Sequence, residues 1–322
     1  MNTNFNVRKN LAFRNNVMPI VMAYGALIIL CTIAQILKPG FLELNHLQNL
    51  IKQNAFLGLV CLGQMLVIIT GGTDLSITYN ITLCNVMSSQ IMAQNNDNIL
   101  KCLVIVLVIG IIVGLANGLG IYYLKIPAMI MTLGVGTVLQ GLGYIYTQGA
   151  PKGSAAPALS SFINGKVFGL TYGSVIIWIA IAVIAVVVMR YTQFGRSVYA
   201  VGANAEAARY SGIDTCRTLC LVYVTSGVMA SVAGMLLVGY SGTAYLYTGN
   251  PYNMDSIAAC VVGGTLITGG QGNYIGVIAG VLLMAALNSI LIMINMPEAI
   301  RKMVKGFVIL IMILLVHRKK SQ

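Results

Sequence analysis

Long stretches without a charged residue dominate the chain and predict helices that cross a membrane. A helix needs about 20 apolar residues to span the hydrocarbon core of a bilayer. Uncharged stretches longer than this lie at residues 15–37, 53–73, 75–96, 102–124, 126–151, 167–189, 218–254 and 256–297. The last has 42 residues, roughly twice a crossing, and must therefore contain a reversal.

The hydrophobic pattern predicts an all-α, polytopic integral membrane protein with about ten transmembrane helices. The predicted spans are residues 17–37, 54–71, 75–95, 102–123, 128–147, 170–189, 218–239, 255–268, 274–294 and 301–316. The third span contains Asn80, Asn85 and Ser88, so we expect it to pack inside the bundle rather than face lipid. The eighth is short and interrupted by glycine, which leaves a re-entrant segment as the alternative to a full crossing.

Composition supports the membrane assignment and excludes a soluble domain. Hydrophobic residues make up 58% of the 322 residues, charged residues 8%, and the mean hydropathy is +0.86. Soluble domains carry about 25% charged residues. The net charge of +12 comes from basic residues dispersed in short loops, which does not indicate a nucleic-acid partner.

The distribution of lysine and arginine predicts that both chain ends lie in the cytoplasm. Eleven basic residues fall on the side of the termini and eight on the other side, and cytoplasmic loops are enriched in such residues. Arg301, Lys302 and Lys305 are the discordant group on the external side. Arg8, Lys9 and Arg14 precede an apolar run without a cleavage site, which predicts an uncleaved first helix.

These spans define one transmembrane domain at residues 17–316, flanked by cytoplasmic tails at 1–16 and 317–322. Two connecting loops are long enough to have a role of their own. An external loop covers residues 148–169, and a cytoplasmic loop covers residues 190–217.

Hydrolytic and redox chemistry have no candidate residues here. The two histidines, His46 and His317, lack partners at ligand spacing, and no phosphate-binding G-x-x-x-x-G-K-[ST] motif occurs. The seven cysteines lie mainly in apolar runs, so we expect no disulfide and no metal. We therefore expect a protein that is not an enzyme, and any dependence on ATP must come from a partner.

A carboxylate and two hydroxyls follow a Gly-Gly pair in the stretch Thr70 to Ile77. Asp74 and Ser76 lie at a membrane boundary, where a lipid-facing carboxylate would cost several kcal/mol. In one interpretation Asp74 caps the third helix through its first amides. In the other, Asp74 and Ser76 belong to a gate or an ion-binding break.

The cytoplasmic loop contains a predicted short helix between Asn204 and Gly212. Asn204 is a good N-cap, Glu206 suits the positive helix start, and Gly212 lies where a left-handed stop is expected. A two-turn helix is marginal in water on its own and must be held against something. It either packs on its own bundle or docks a cytoplasmic partner.

Small residues are dense between Asp255 and Asn273. Gly263 and Gly264 allow helices to approach or break, and the Gly-Gly-Gln-Gly-Asn sequence at 269–273 supplies the required reversal. This segment either packs tightly against neighbouring helices or forms part of a transport pathway. Asn288 adds a polar group to the ninth span.

Four blocks of the chain resemble the permease subunits of ribose-type importers of the ATP-binding-cassette (ABC) class, a group similar to branched-chain amino-acid permeases. They are LVIITGGTDLS at 66–76, TQFGRSVYAVGANAEAARYSGI at 192–213, DSIAACVVGGTLITGGQG at 255–272 and MVKGFVIL at 303–310. The resemblance implies that 204–212 is a coupling helix that docks on an ABC ATPase. Its expected docking residues are Asn204, Glu206, Ala207, Ala208, Arg209 and Gly212.

The resemblance further implies a complex of two permease copies, identical or paralogous, with two ATPase subunits and an external substrate-binding protein. Such a complex would carry a monosaccharide or similar solute by alternating access, with ATP and Mg²⁺ bound by the partner ATPase and no cofactor in this chain. The predicted gate or pathway residues are Asp74, Ser76, Asp255, Gly263, Gly264 and Asn288. The alternatives are an ion-coupled carrier that uses Asp74 or Asp255, and a membrane enzyme, which the absence of clustered His, Cys or paired carboxylates disfavours.

Overall fold

The computed structural model is a helical bundle and describes the backbone of residues 2–167 and 169–318 and the side chains of residues 18–167 and 169–308. The helices are α1 (Asn2–Leu37), α2 (Leu44–Ile69), α3 (Ile77–Met92), α4 (Asn98–Leu124), α5 (Ala128–Thr147), α6 (Pro157–Asn164), α7 (Gly173–Tyr191), α8 (Gln193–Ala203), α9 (Ala205–Tyr210), α10 (Thr215–Ser241), α11 (Asn250–Val262), α12 (Tyr274–Met293) and α13 (Glu298–Arg318). Strands β1 (Lys166–Val167) and β2 (Thr171–Tyr172) pair antiparallel.

Seven helices are long and apolar enough to cross a membrane within the described part of the chain. They are the Met18–Leu37 part of α1 together with α2, α4, α5, α7, α10 and α12. Most of the predicted N-terminal tail forms the start of α1. The predicted C-terminal tail lies outside the described residues from residue 319 onward.

The connecting segments gather at two ends of the bundle. At one, called the α9 end, the backbone amide of Gly270 donates to the carbonyl of Ile69 (2.8 Å), and the Tyr199 hydroxyl donates to the carbonyl of Gly272 (2.7 Å). At the other, called the far end, the amide of Ala155 donates to the carbonyl of Gly242 (2.9 Å). Helices α2 and α7 therefore end at the α9 end, where α12 begins, whereas α10 ends at the far end.

Helix α10 lies at the centre and packs closely on α4 through glycines. Gly110, Gly114 and Gly118 are spaced four residues apart and face the α10 backbone. A Cβ atom at Gly110 would lie 2.7 Å from the Cα of Val228, and one at Gly118 would lie 2.8 Å from the Cα of Cys220. Only glycine allows this approach, which brings the two backbones into van der Waals contact.

Helix α3 packs on another face of α10 and buries its polar side chains, as its sequence predicts. Asn80 and Asn85 are fully buried and donate to the carbonyls of Gly227 (2.8 Å) and Gly234 (3.2 Å) in α10. The Ser231 hydroxyl donates to the Oδ1 of Asn80 at 3.0 Å. These amides therefore fix the α3–α10 contact instead of facing lipid.

The predicted eighth helix is displaced toward the N-terminus. Helix α11 ends at Val262, six residues before the predicted end at 268, because the next segment contains glycines in left-handed conformations. Gly264, Gly269 and Gly270 have φ values of +89°, +86° and +77°. The chain reverses between α11 and α12 over residues 263–273, as the glycine pattern predicts.

The predicted external loop at 148–169 contains local structure at the far end. Helix α6 occupies residues 157–164, and the Asn164 amide donates to the carbonyls of Gly239 (3.1 Å) and Tyr240 (3.2 Å). A Cβ atom at Gly239 would lie 2.9 Å from Leu159 in α6. The loop is thereby tied to the last turn of α10.

We expect Gly114→Ala to destabilise the protein because the new methyl group would meet the backbone of Val224 in α10. Overpacking of this kind costs about 1–3 kcal/mol. The matched control is Gly25→Ala in α1, where no atom lies within 4 Å of the added methyl group. Thermal unfolding in detergent should show a lower melting temperature for Gly114→Ala only; equal melting temperatures would contradict the close contact.

Candidate functional site

Two short helices connect α7 to α10 at the α9 end. The Thr192 hydroxyl accepts from the amide of Gly195 (3.3 Å) at the start of α8, and the Asn204 Oδ1 accepts from the amide of Ala207 (2.9 Å) at the start of α9. The N-cap role of Asn204 is confirmed. Sequence reasoning missed α8, although Thr192 before the apolar series Phe194, Val198 and Val201 is typical of a capped amphipathic helix.

Gly212 stops α9 as predicted. It has a φ of +82°, its amide donates to the carbonyl of Arg209 (3.0 Å), and the next amide, of Ile213, donates to the carbonyl of Ala208 (3.0 Å). This pair of bonds is the Schellman arrangement, in which a left-handed glycine satisfies the last helical carbonyls. Both ends of the six-residue helix are therefore determined by local chemistry.

Helix α9 presents most of its surface outward. Ala208 is buried at 5% exposure, whereas Tyr210 is 91% exposed. The other predicted docking residues, Asn204, Glu206, Ala207, Arg209 and Gly212, are exposed. We call this set with Tyr210 the α9 surface; Tyr210 was not predicted from the sequence, where it could equally be a core residue.

Helix α8 joins the α9 surface to the bundle. Val198 and Val201 are buried, and a Cβ atom at Gly202 would overlap the carbonyl oxygen of Ile69 at the end of α2. Through the bonds of Gly270 and Tyr199, α8 and the end of α2 also contact the 263–273 segment. A displacement of α9 would therefore be passed through α8 to the end of α2 and to the α11–α12 connection.

Asp74 and Ser76 form one buried network between α2 and α3. Asp74 accepts at Oδ1 from the amide (2.9 Å) and hydroxyl (2.5 Å) of Ser76, and at Oδ2 from the hydroxyl of Ser226 in α10 (2.7 Å). The Asn117 amide donates to the Ser76 hydroxyl at 2.9 Å. The backbone bond goes to Ser76, the residue before the first of α3, and the network ties this residue to α4 and α10.

Asp255 forms an ion pair on the other side of the bundle. The ammonium of Lys305 in α13 donates to Oδ2 (2.8 Å) and Oδ1 (3.1 Å) of Asp255 in α11. Both side chains are less than one-fifth exposed. In the same helix Lys302 pairs with Glu298 at 2.7 Å, so two of the three discordant basic residues have acidic partners.

The remaining predicted residues lie apart. Gly263 packs on α12, where a Cβ atom would lie 2.6 Å from the Cα of Val277, and Gly264 adjoins Pro19 of α1. Asn288 is half-buried toward the far end, next to the contact of Ser289 with His46 (3.1 Å). The six predicted pathway residues therefore do not converge on one site.

Gln64 is a buried polar residue that sequence reasoning missed. It is 0% exposed in the middle of α2, and neither polar atom of its amide has a hydrogen-bond partner. The signal was the one amide side chain within the apolar run 55–69. Within residues 18–167 and 169–308 there is no cluster of three or more potential metal ligands.

Seven long apolar helices indicate a multi-pass membrane protein, and comparison with known proteins gives the family. The family described as "Branched-chain amino acid transport system / permease component" matches residues 47–313, and the chain belongs to this family. The ribose import permease protein RbsC of Bacillus subtilis is 35% identical over 297 residues, covering 92% of this chain and 91% of its own.

Other relatives extend this similarity. The galactose/methyl galactoside import permease protein MglC of Escherichia coli K12 is 34% identical over 89% of this chain and 90% of its own, and the ribose import permease RbsC of the same strain is 31% identical over 92% of each chain. No solved structure gives a significant match.

We expect the Asp255–Lys305 pair to behave as a coupled unit. Asp255→Asn or Lys305→Met alone leaves a poorly solvated charge and should lower stability by roughly 2–4 kcal/mol. The double variant removes both charges and should be more stable than either single variant. A double-mutant cycle of thermal unfolding in detergent measures the coupling; additive losses would contradict it.

Proposed function

We propose that the chain is the transmembrane permease subunit of an ABC importer and forms the pathway for a monosaccharide of the ribose or galactose type. The observation that carries this proposal is the 31–35% identity to ribose and galactose permeases over about nine-tenths of each chain. As a permease subunit the chain is not an enzyme, and ATP and Mg²⁺ belong to a partner ATPase.

We propose that α3, α11 and α13 cross the membrane with the seven long helices, giving ten spans. The alternation of connections between the two ends supports this count. We place the α9 end and both termini in the cytoplasm of a bacterial inner membrane. The excess of lysine and arginine on that side, eleven residues against eight, supports this orientation.

The proposed ATPase contact is the α9 surface. Its support is an exposed helix with defined ends, a protruding Tyr210 and charges of both signs from Glu206 and Arg209. Movement of the ATPase would pass from α9 through α8 to the end of α2 and to 263–273. Asp74, Ser76, Gly263 and Gly264 border these connections and remain our candidates for a gate on the cytoplasmic side, with Asp255 and Asn288 toward the external side.

A small cleft at the far end supplies candidate first contacts for the sugar. It lies between α3, α5 and the start of α11, and its polar lining includes Tyr79, Gln140, Tyr144 and Asn250. Aromatic rings and amides are typical of sugar sites because they combine an apolar face with hydrogen-bonding groups. The cavity is about 10 Å³, so the cleft is closed to a sugar in this conformation.

Two further partners complete the proposed importer. A second permease copy would pack on the exposed side of α5, where Gly134 and Gly141 have no atom within 4 Å of an added Cβ and so permit close helix approach. A substrate-binding protein would dock on the external loop that holds α6, β1 and β2. An ion-coupled carrier finds less support, since Asp255 is ion-paired and Asp74 accepts three hydrogen bonds within the protein.

Deletion of the gene from its native host should abolish ATP-dependent uptake of ribose or galactose, because the translocation pathway is lost. Uptake of radiolabelled ribose, galactose and leucine measures this, with plasmid-borne wild-type chain as the restoring control. Loss of leucine uptake with both sugars unaffected would contradict the proposed substrate class.

The double substitution Glu206→Lys with Gly212→Pro should uncouple sugar uptake from ATP hydrolysis. The first change reverses a charge on the α9 surface, and proline at Gly212 cannot adopt the φ of +82° that ends α9. We expect uptake to fall at least about tenfold while the chain stays in the membrane. The control Glu206→Gln with Gly212→Asn removes the charge without reversing it and keeps a residue that tolerates the left-handed conformation.

Uptake in the control should stay within about threefold of wild type. Normal uptake in the lysine–proline variant, at equal membrane abundance, would show that the α9 surface does not transmit coupling.

A further inference from the structure

A large cavity at the α9 end lies beside the proposed cytoplasmic gate, with Gly263 and Gly264 among its lining residues, and has no role assigned so far. Its volume is about 880 Å³, and it lies between α1, α7, α8 and the segment that leads into α12. Pro19 and Ile20 from α1 and Val186 and Met189 from α7 form an apolar wall. Arg190, Arg196, Tyr199, Gln271 and Asn273 provide the polar side chains.

The charge of this cavity is wholly positive. Arg190 lies in the last turn of α7, Arg196 lies on α8, and none of the described lining residues is Asp or Glu. The ion pairs found within residues 18–167 and 169–308 use Lys302 and Lys305, not these arginines. The first turn of α12 adds the positive end of a 20-residue helix at Asn273 to Ile275.

The location matches the boundary between headgroups and acyl chains. Around the apolar wall, Val21 and Met22 on α1 and Ile184 and Val187 on α7 are 47–62% exposed on two candidate membrane spans. Arg190 lies in the last turn of the span α7 and Arg196 follows it on α8, so both would lie near headgroup depth in a membrane that α7 crosses. Basic pockets between helices on the cytoplasmic side of a membrane suit anionic lipid headgroups.

We propose that this cavity binds one anionic phospholipid of the cytoplasmic leaflet, with its phosphate at Arg190 and Arg196 and its acyl chains along α1 and α7. The first sixteen residues of the chain would not fit this positive cavity, because they contain Arg8, Lys9 and Arg14 and no acidic residue. A zwitterionic lipid would leave the positive charge only partly compensated.

The test is lipid binding to the purified full chain, measured by native mass spectrometry during titration with phosphatidylglycerol or phosphatidylcholine. Each basic group near a lipid headgroup contributes about fivefold in affinity. We expect a preference for phosphatidylglycerol, and we expect Arg190→Gln with Arg196→Gln to weaken its binding by roughly 25-fold. Replacing both arginines by lysine keeps the charge and should retain most of the affinity, which separates loss of charge from misfolding.

The matched control is Lys125→Gln with Arg217→Gln, which removes two exposed basic residues at the same end but outside the cavity. This variant should bind phosphatidylglycerol like wild type. Equal affinity for the two lipids, or equal weakening in the control variant, would overturn the proposal. Displacement of the lipid by millimolar inorganic phosphate would also overturn it and assign the cavity to a water-soluble anion.

Discussion

The architecture depends on one constraint: polar groups that lie among apolar helices must find their partners within the protein. Helix α10 meets this constraint for its neighbours. Glycines in α4 bring the two backbones together, and the same central helix accepts hydrogen bonds from Asn80 and Asn85 of α3. Ser226 of α10 also donates to the buried carboxylate of Asp74, so α10 ties α3, α4 and the α2–α3 connection into one unit.

A second set of contacts explains how a helix outside the bundle can act on helices within it. Helix α8 buries Val198 and Val201, and Gly202 adjoins the end of α2. The segment after α11 is bonded to both through Gly270 and Tyr199. A force applied at α9 therefore reaches α2 and the α11–α12 connection without crossing a flexible loop, which is what a subunit powered by a partner requires.

Local signals in the sequence predicted much of this structure. The N-cap Asn204, the left-handed stop at Gly212 and the reversal at 269–273 each depend on the chemistry of a few neighbouring residues, and the structure confirms them. The polar face of α3 also predicted its buried position. Helix α8 was missed because the loop was interpreted by its charge rather than by its apolar spacing, and the end of α11 was placed too late because the hydropathy of 263–268 masks its glycine conformations.

Contacts between distant residues could not be predicted in this way. The partner of Asp255 lies 50 residues away on α13, and the network of Asp74 includes Ser226, 152 residues away. A single sequence does not show which distant residues pair. Asp74 and Asp255 therefore looked like candidates for ion binding, although in the structure each has a partner within the protein. The amide of Gln64 stands out in the sequence of α2, but that it has no hydrogen-bond partner depends on distant residues and could not be predicted.

The most direct test of the central claim is co-purification of the tagged chain from its native membrane in mild detergent, with mass spectrometry and an ATPase assay on the eluate. The account predicts a nucleotide-binding subunit in the eluate and ATP hydrolysis that depends on it. Recovery of the chain alone, without ATPase activity across several detergents, would contradict the assignment to an ABC importer.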